Sequence, residues 1–309
     1  MSLLINALEQ GLVYGIMALG VLITFRVLDF PDLTVDGSFT MGAGITAALT
    51  VGGWNPFLAL FLGILGGMLA GIFTSFLSTK LNILNLLAGI LTMTLLYSVN
   101  LRIMGRPNIP LLGQETILDQ FHSLLSGIGW GDYSNLIFFG LVLLFLKILL
   151  DLFFNTELGL ALRATGDNEQ MIVAQGVNTD TMKILGLAIS NGLVAFSGGL
   201  VAQYSGFADV GMGIGMIIAG LASVIVGETL ISTKNFLWVT TGVIVGSILY
   251  RAAIMLALRY GYNLGFKASD LKLITALIVI VALATPQVRD KLNFQLGEKV
   301  DFSNSNGRG

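Results

Sequence analysis

The stretch F-P-D-L-T-V-D-G-S-F (Phe30 to Phe39) places two carboxylates, a proline and a glycine at the end of the first hydrophobic run of a chain that is otherwise almost all hydrocarbon. Charge at the end of an apolar span is costly and points to function. Pro31 lacks an N–H and disfavours helix at Phe30. Asp36, or Ser38 beyond it, is placed to cap a new helix, with Gly37 easing close approach. The pattern predicts a break followed by a half-helix, whose N-terminal dipole and free N–H groups face an aqueous gap. The plainer alternative is a cytoplasmic loop between two spans, in which the aspartates are solvated. A loop this tight and this rich in apolar residues favours the first reading.

Working outward, the composition identifies the solvent. Hydrophobic residues make up 55% of the 309 and charged residues 11%, with a mean hydropathy of +0.85. A soluble domain carries about 25% charge, so lipid is the expected surroundings. The net charge of -2 leaves no basic footprint for nucleic acid. There are no cysteines, which excludes disulfides and thiolate metal sites, and the single histidine, His122, argues against a histidine-rich one. The N-terminus has no basic segment of the signal-peptide kind, so the first span is expected to be retained.

A spanning helix needs about 20 mostly apolar residues. By that rule the chain is all-α, a polytopic transmembrane bundle of about nine hydrophobic segments (8–10). They lie near 4–26, 38–52, 57–79, 83–104, 134–155, 183–204, 212–232, 236–258 and 271–287. The second is short and glycine-rich and reads as a half-helix or re-entrant piece. Residues 1–290 form the membrane domain, and 291–309 a polar tail, expected to be disordered and cytoplasmic. With an outside N-terminus, Lys80, Arg163, Lys183, Lys234, Arg289, Lys291, Lys299 and Arg308 all fall inside, while Arg106, Arg259 and Lys267 fall outside. Residues 105–133 read as an external loop and 156–182 as the longest internal one.

A weak internal repeat adds to this. Phe30-Pro31-Asp32 and Phe207-Ala208-Asp209 each lead into a glycine-rich segment, a short polar break (Trp54-Asn55-Pro56; Ser232-Thr233-Lys234) and a further glycine-rich span. The spans entering them run in opposite directions, the pattern of an inverted repeat with the pathway at its interface. Chance similarity between apolar stretches is the rival account. Glycines at 63, 67 and 71, at 11 and 15, and at 242 and 246 form small-residue stripes that let helices approach closely. Simple packing is the preferred reading over a subunit interface. Arg102, Lys147 and Glu228 lie close to segment ends and are expected to snorkel. Arg251 sits deeper and could pair with Glu228 if the fold brings them together.

The internal loop holds the most specific signal, T-E-L-G-L-A-L-R-A-T-G-D-N-E-Q-M-I-V-A-Q-G-V-N (Thr156 to Asn178). Asp167 is placed to N-cap a short helix, with Gln170 three residues on as in a capping box. Gly176 is placed to end it in the left-handed conformation. Glu169 and Gln170 then stand beside Met171, Ile172 and Ala174 on a short amphipathic peg. A peg this short with so little basic charge suits a partner protein better than a lipid surface.

On these residues the chain resembles the permeases of ATP-binding-cassette importers of the branched-chain amino acid type. The resemblance rests on Gly159, Arg163, Ala164, Gly166, Asn168, Ala174 and Gly176, on the run from Arg26 to Gly44, and on A-S-V-I-V-G-E (Ala222 to Glu228). The F-P-D-L-T-V-D-G-S-F form is similar to a subgroup linked to tryptophan or tyrosine uptake in bacteria. The resemblance covers about 5–290. It implies a non-catalytic permease in the bacterial cytoplasmic membrane, usually two copies per transporter, working with two cytoplasmic ATPases and an external substrate-binding protein. There is no G-x-x-x-x-G-K-[ST] phosphate loop, so no cofactor is expected on this chain, and ATP and magnesium belong on the partner ATPase. Carried over by position, Arg163 to Gly176, with Asp167, Asn168, Glu169, Gln170 and Met171, is the ATPase-coupling segment. Asp29, Phe30, Pro31, Asp32, Thr34, Asp36 and Ser38, with the matching stretch Phe207 to Gly215 that carries Phe207 and Asp209, line or gate the pathway. The loop 105–133 helps dock the binding protein. The function implied is alternating access for a small solute, an aromatic amino acid by the subgroup resemblance.

Three other classes compete, one of them a passive channel, whose rings of charge or aromatic filters leave no mark in a single chain. A secondary transporter would couple an ion through Asp29, Asp32 and Asp36 and need no ATPase. A membrane-embedded serine protease is suggested by Ser197-Gly198-Gly199, but its only histidine partner, His122, lies in the predicted external loop.

Overall fold

In hydrocarbon every backbone N–H and C=O needs an internal partner, and a helix supplies one within the segment. The apolar runs accordingly form helices. The computed structural model describes residues 2–262 except 128, 232 and 234, together with 273, 276, 277 and 280. Apart from those four positions, the ninth predicted segment (271–287) lies outside the described residues, as does the predicted tail. The chain divides into two compact units, residues 1–252 and 253–309. The candidate site lies wholly in the first.

Helix α1 (Ser2–Leu22) continues through a π-helical turn (Ile23–Val27). It is followed by α2 (Thr34–Val51), α3 (Pro56–Thr79) and α4 (Asn85–Met104). A three-residue strand, β1 (Asn108–Pro110), and an amphipathic helix, α5 (Ile117–Ser126), lead to α6 (Ser134–Phe154). Two short helices come next, α7 (Glu157–Asp167) and α8 (Glu169–Ala174), then α9 (Thr179–Ser205), strand β2 (Phe207–Asp209), α10 (Met216–Leu230) and α11 (Phe236–Tyr262). Among the described residues six helical stretches, Leu4–Val27, Pro56–Thr79, Asn85–Met104, Gly131–Phe154, Thr179–Ser205 and Phe236–Ala257, are long and apolar enough to cross a membrane. The shorter α2 and α10 stand between them. The all-α expectation needs one amendment. The loop predicted as external is structured, and its strand β1 pairs antiparallel with β2, Ile109 opposite Ala208.

Helix α9 is the axis of the first unit. Ser190 Oγ donates to the Gly20 carbonyl at 2.7 Å, Ser197 Oγ to the Val13 carbonyl at 2.8 Å, and Tyr204 Oη to Glu9 at 2.9 Å. Those pairings run α1 antiparallel to α9. Helix α2 runs parallel to α9, and α3 antiparallel to it, through glycines at van der Waals contact. A Cβ on Gly42 would stand 1.9 Å from the Ala195 carbonyl oxygen, and one on Gly198 would stand 2.0 Å from that of Phe39. The 63/67/71 stripe seats α3 on α2 and α9, Gly11 seats α1 on α11, and Gly242 and Gly246 seat α11 on α10. All are contacts within the chain, as the packing reading expected.

Ion pairs replace snorkelling at two of the predicted positions. Lys147 bonds Asp151 one turn on, and Thr240 of α11 donates to the same carboxylate at 2.8 Å. Glu228 pairs with Arg26 at 2.6 Å, not with Arg251, whose guanidinium lies 3.3 Å from the Tyr14 ring centre.

Gly198→Val should overpack the α2–α9 contact and destabilise the fold by about 1–3 kcal/mol. Gly140→Val is the control, since a Cβ there meets nothing within 4 Å. Thermal unfolding in detergent should show a lowered transition for the first variant and little change for the second.

Candidate functional site

The run that opened the sequence reading is a helix junction. Phe30 N–H reaches back to the Thr24 carbonyl at 2.9 Å, closing the π-turn, and Asp29 takes a left-handed φ of 50°. The chain then reverses and α2 begins at Thr34. Asp32 is fully buried, and its Oδ1 accepts from the Thr34 N–H at 2.9 Å, so this carboxylate serves the start of α2. Its Oδ2 accepts from Asn191 Nδ2 at 2.7 Å. Asn191 Oδ1 in turn accepts from Ser38 Oγ at 2.7 Å, and Thr34 Oγ1 shares a hydrogen bond with Thr74 Oγ1 at 2.6 Å. Asn191 lies midway along α9. The start of α2 is therefore held at mid-depth by a polar network inside an apolar bundle.

Asp36 has a different role from the one expected. It does not cap its own helix, because it already lies in the first turn of α2. Its carboxylate crosses to α10 and accepts from the Gly215 and Ile217 N–H groups, both at 2.8 Å. The stretch after β2 makes this possible. Asp209 Oδ1 accepts from Gly211 N–H at 2.8 Å, and Gly213 lies so close to α2 that a Cβ would stand 1.9 Å from the Asp36 carbonyl. Gly213 N–H donates to Thr40 Oγ1 at 3.1 Å, and Gly215 turns the chain into α10 at φ +87°. Thus α2 and α10 both begin at mid-depth, and the positive end of each meets a carboxylate of this chain. Of the N–H groups expected to face an aqueous gap, that of Thr34 is bonded to Asp32, and those of Gly215 and Ile217 on α10 to Asp36.

Of the predicted gating residues, Asp32, Thr34, Asp36 and Ser38 come together here, and Phe30 is buried beneath them. Asp29 is exposed at the turn. Phe207 and Asp209 lie on β2, nearer the opposite end of the bundle. Sequence reasoning missed Asn191, Thr40 and Thr74, while Gly213 falls inside the predicted stretch Phe207 to Gly215. A lone amide in the apolar run I-S-N-G-L-V was the available signal for Asn191.

The second candidate region is the internal loop, which is helical. Asn168, not Asp167, is the cap. Its extended backbone breaks α7 from α8, and its Oδ1 accepts from Met171 N–H at 3.0 Å. Asp167 stays in the last turn of α7, so no capping box with Gln170 forms. The left-handed turn at Gly176 is present, φ +86°. Ile172 is buried, whereas Met171 and Val173 are 60% and 54% exposed. Glu169 bonds Lys183 of α9 at 2.6 Å.

Gly166 explains the loop's position. A Cβ there would stand 1.9 Å from the Val27 carbonyl oxygen, so α7 abuts the π-turn at the end of α1. Leu162 and Leu28 fill the space over Gly186 of α9, and Arg163 lies 5.4 Å from the Phe236 ring centre. The loop and the helix junction are therefore in contact. Arg26, on that same turn, reaches Glu228 at the far end of α10. A cavity of about 570 Å³ lies between these elements, lined by Arg26, Arg163, Asp167 and Glu228. Among the described residues no group of three or more His, Cys, Asp or Glu is placed to hold a metal ion.

The family model described as branched-chain amino acid transport system / permease component matches residues 3–284. The chain belongs to that permease family. A tyrosine transport system permease protein of Clostridioides difficile (strain R20291) is 45% identical to this permease over 304 residues, covering 97% of this chain and 98% of that one. An uncharacterized protein of Rickettsia prowazekii (strain Madrid E) is 35% identical over 294 residues, covering 94% and 100%. Two solved structures are similar at a lower level. One is PsaBC from Streptococcus pneumoniae in complex with Fab (20% identity, 90% and 89% covered, TM-score 0.46). The other is a metal-chelate type ABC transporter in an inward-facing conformation (17% identity, 93% and 83% covered, TM-score 0.48). With family and spans together, the permease is an integral membrane protein.

Asp36→Ala should strand the Gly215 and Ile217 N–H groups and destabilise the permease by about 1–3 kcal/mol. Asp36→Asn keeps one acceptor oxygen and should lose clearly less in detergent unfolding. Equal losses would remove the cap as the cause.

A second expectation concerns pH. The Lys183 hydrogen bond holds the Glu169 carboxyl below its ordinary range. A depressed carboxyl stabilises the folded state above its unfolded value, and that contribution is lost as pH falls through the folded one. Hydrogen exchange, corrected for intrinsic rates, should show residues 171–174 losing protection only at pH below the ordinary carboxylate range. In Glu169→Gln the same loss should be present at neutral pH.

Proposed function

We propose that this permease is the membrane-spanning subunit of an ATP-binding-cassette importer for an aromatic amino acid, tyrosine or tryptophan. The observation that carries the reading is the contact of α7, through Gly166, with the π-turn that leads into the mid-depth helix junction. Two cytoplasmic ATPases would seat on α8, whose Met171 and Val173 are presented outward from the end of the bundle bearing Lys80, Arg163 and Lys183. That end faces the cytoplasm of the bacterial cell by the positive-inside rule. The opposite end, with β1, α5 and Arg106, receives the external substrate-binding protein. A second copy of the chain completes the pathway as a homodimer. The tyrosine relative supports the substrate class.

The mechanism is alternating access without covalent chemistry on this chain. ATP closure of the ATPases moves α8 and α7 together. The π-turn of α1 moves with them, and it is tied to α10 by Arg26–Glu228 and to α2 by the reversal at 28–33. Because Asp36 joins α2 to α10, the two half-helices shift as one, and exposure of the junction changes side. The stretches α1–α2–α3 and α9–α10–α11 act as the two halves of an inverted repeat, α1 and α9 running in opposite directions. Ion coupling through the aspartates is disfavoured, since Asp32 and Asp36 are both committed to helix N-termini.

The test is purification under mild extraction with identification of co-purifying chains, then ATP-driven tyrosine uptake in proteoliposomes. Wild type should bring an ATPase. Met171→Glu with Val173→Glu should lose it, and uptake should fall at least tenfold with the permease still monodisperse. Uptake without any ATPase would refute the importer reading.

A further inference from the structure

We propose that the groove between α3, α6 and α9 is a binding site for the acyl chain of a phospholipid, held as an integral part of the permease. Helix α6 packs on α1, where Leu143 meets Gly15, and on α7. It stands away from α3 and α9, leaving a cavity of about 630 Å³. Every side chain lining it is apolar, among them Ile64 and Met68 of α3, Val142 and Leu146 of α6, and Ile189 and Phe196 of α9. The lining offers no polar group to hold water, so the groove takes an apolar ligand. All three walls are helices of spanning length and apolarity, so the medium at the mouth of the groove is hydrocarbon.

The length of the groove matches one lipid tail. Along α6 the lining runs from Phe138 to Leu150, which at 1.5 Å per residue is about 18 Å. One leaflet of a hydrocarbon core is about 15 Å thick. Gly192 of α9 leaves Met68 of α3 in contact distance, so these two walls are packed together and form the floor of the groove. Phe121 of the amphipathic α5 closes the groove at the end of the bundle bearing β1. The headgroup belongs at that end, beside the polar face of α5 with Gln120 and Ser123. The lipid is therefore one of the leaflet on the α5 side.

The test uses the full-length permease reconstituted in palmitoyl-oleoyl phosphatidylethanolamine and phosphatidylglycerol, re-extracted, delipidated in stringent detergent and weighed by native mass spectrometry. Wild type should retain one phospholipid per chain. Val142→Trp with Ile189→Phe fills the groove and should lower retention at least fivefold. Leu144→Phe, 54% exposed and outside the groove, should leave it unchanged. No retained lipid in wild type, or equal retention in the filled variant, would overturn the proposal. Should the filled variant fail to fold, a phospholipid with a photoreactive group on the acyl chain decides in wild type. Adducts concentrated on Met68, Val142 and Ile189 support the site, and adducts spread evenly over the outward face of α4 overturn it. Because the chain has no cysteine, Phe145→Cys also tests the other occupant. Disulfide-linked dimers forming through it would make the groove a subunit interface instead.

Discussion

The structure depends on one electrostatic arrangement, a carboxylate in the first turn of α2 that closes the N-terminus of α10. A helix N-terminus leaves four N–H groups without partners, and at mid-depth in a bundle no bulk water can supply them. Asp36 supplies two acceptors to α10 from a neighbouring helix, and Asp32, just ahead of α2, supplies one to the Thr34 N–H. Two helices can therefore begin inside the bundle. The low dielectric that makes each bond strong also makes its loss expensive.

This arrangement dictates the sequence around it. Asp32 needs a second partner, and Asn191 provides it while also accepting from Ser38. The stretch carrying Gly213 must lie flat against α2, which only a residue without a Cβ permits. It must then turn into α10 in a left-handed conformation at Gly215. The β1–β2 ribbon anchors the other end of that stretch. Rigid pairing at one end and hydrogen bonding at the other leave the junction few ways to move except as a unit.

The same economy of contact links the junction to the α7–α8 elbow. Gly166 and Gly159 both belong to the stretch on which the resemblance rests, and the structure gives a physical reason for a glycine at each. Each lies against a backbone carbonyl, of Val27 and Phe153 respectively, at a distance a side chain would prevent. The elbow is thus built against α1 and α6 rather than hung from a flexible loop. Met171 and Val173, the exposed apolar residues of α8, face away from those contacts.

The sequence by itself determined the solvent, the helical class and the places where helices break, because apolar run length, Pro31, Asn55-Pro56 and Gly176 act locally. It also pointed to the two segments that matter, Phe30–Phe39 and Thr156–Asn178, since charge and turn residues stand out against hydrocarbon. Local rules then assigned the wrong partners. Asp36 was read as a cap for its own helix and Asp167 as the cap of α8, whereas α10 and Asn168 hold those places. Glu228, expected to snorkel from a segment end, pairs with Arg26. Hydrogen bonds between residues 150 to 200 positions apart leave no periodic trace in a sequence, so only the tertiary structure could decide which N–H group each carboxylate would meet.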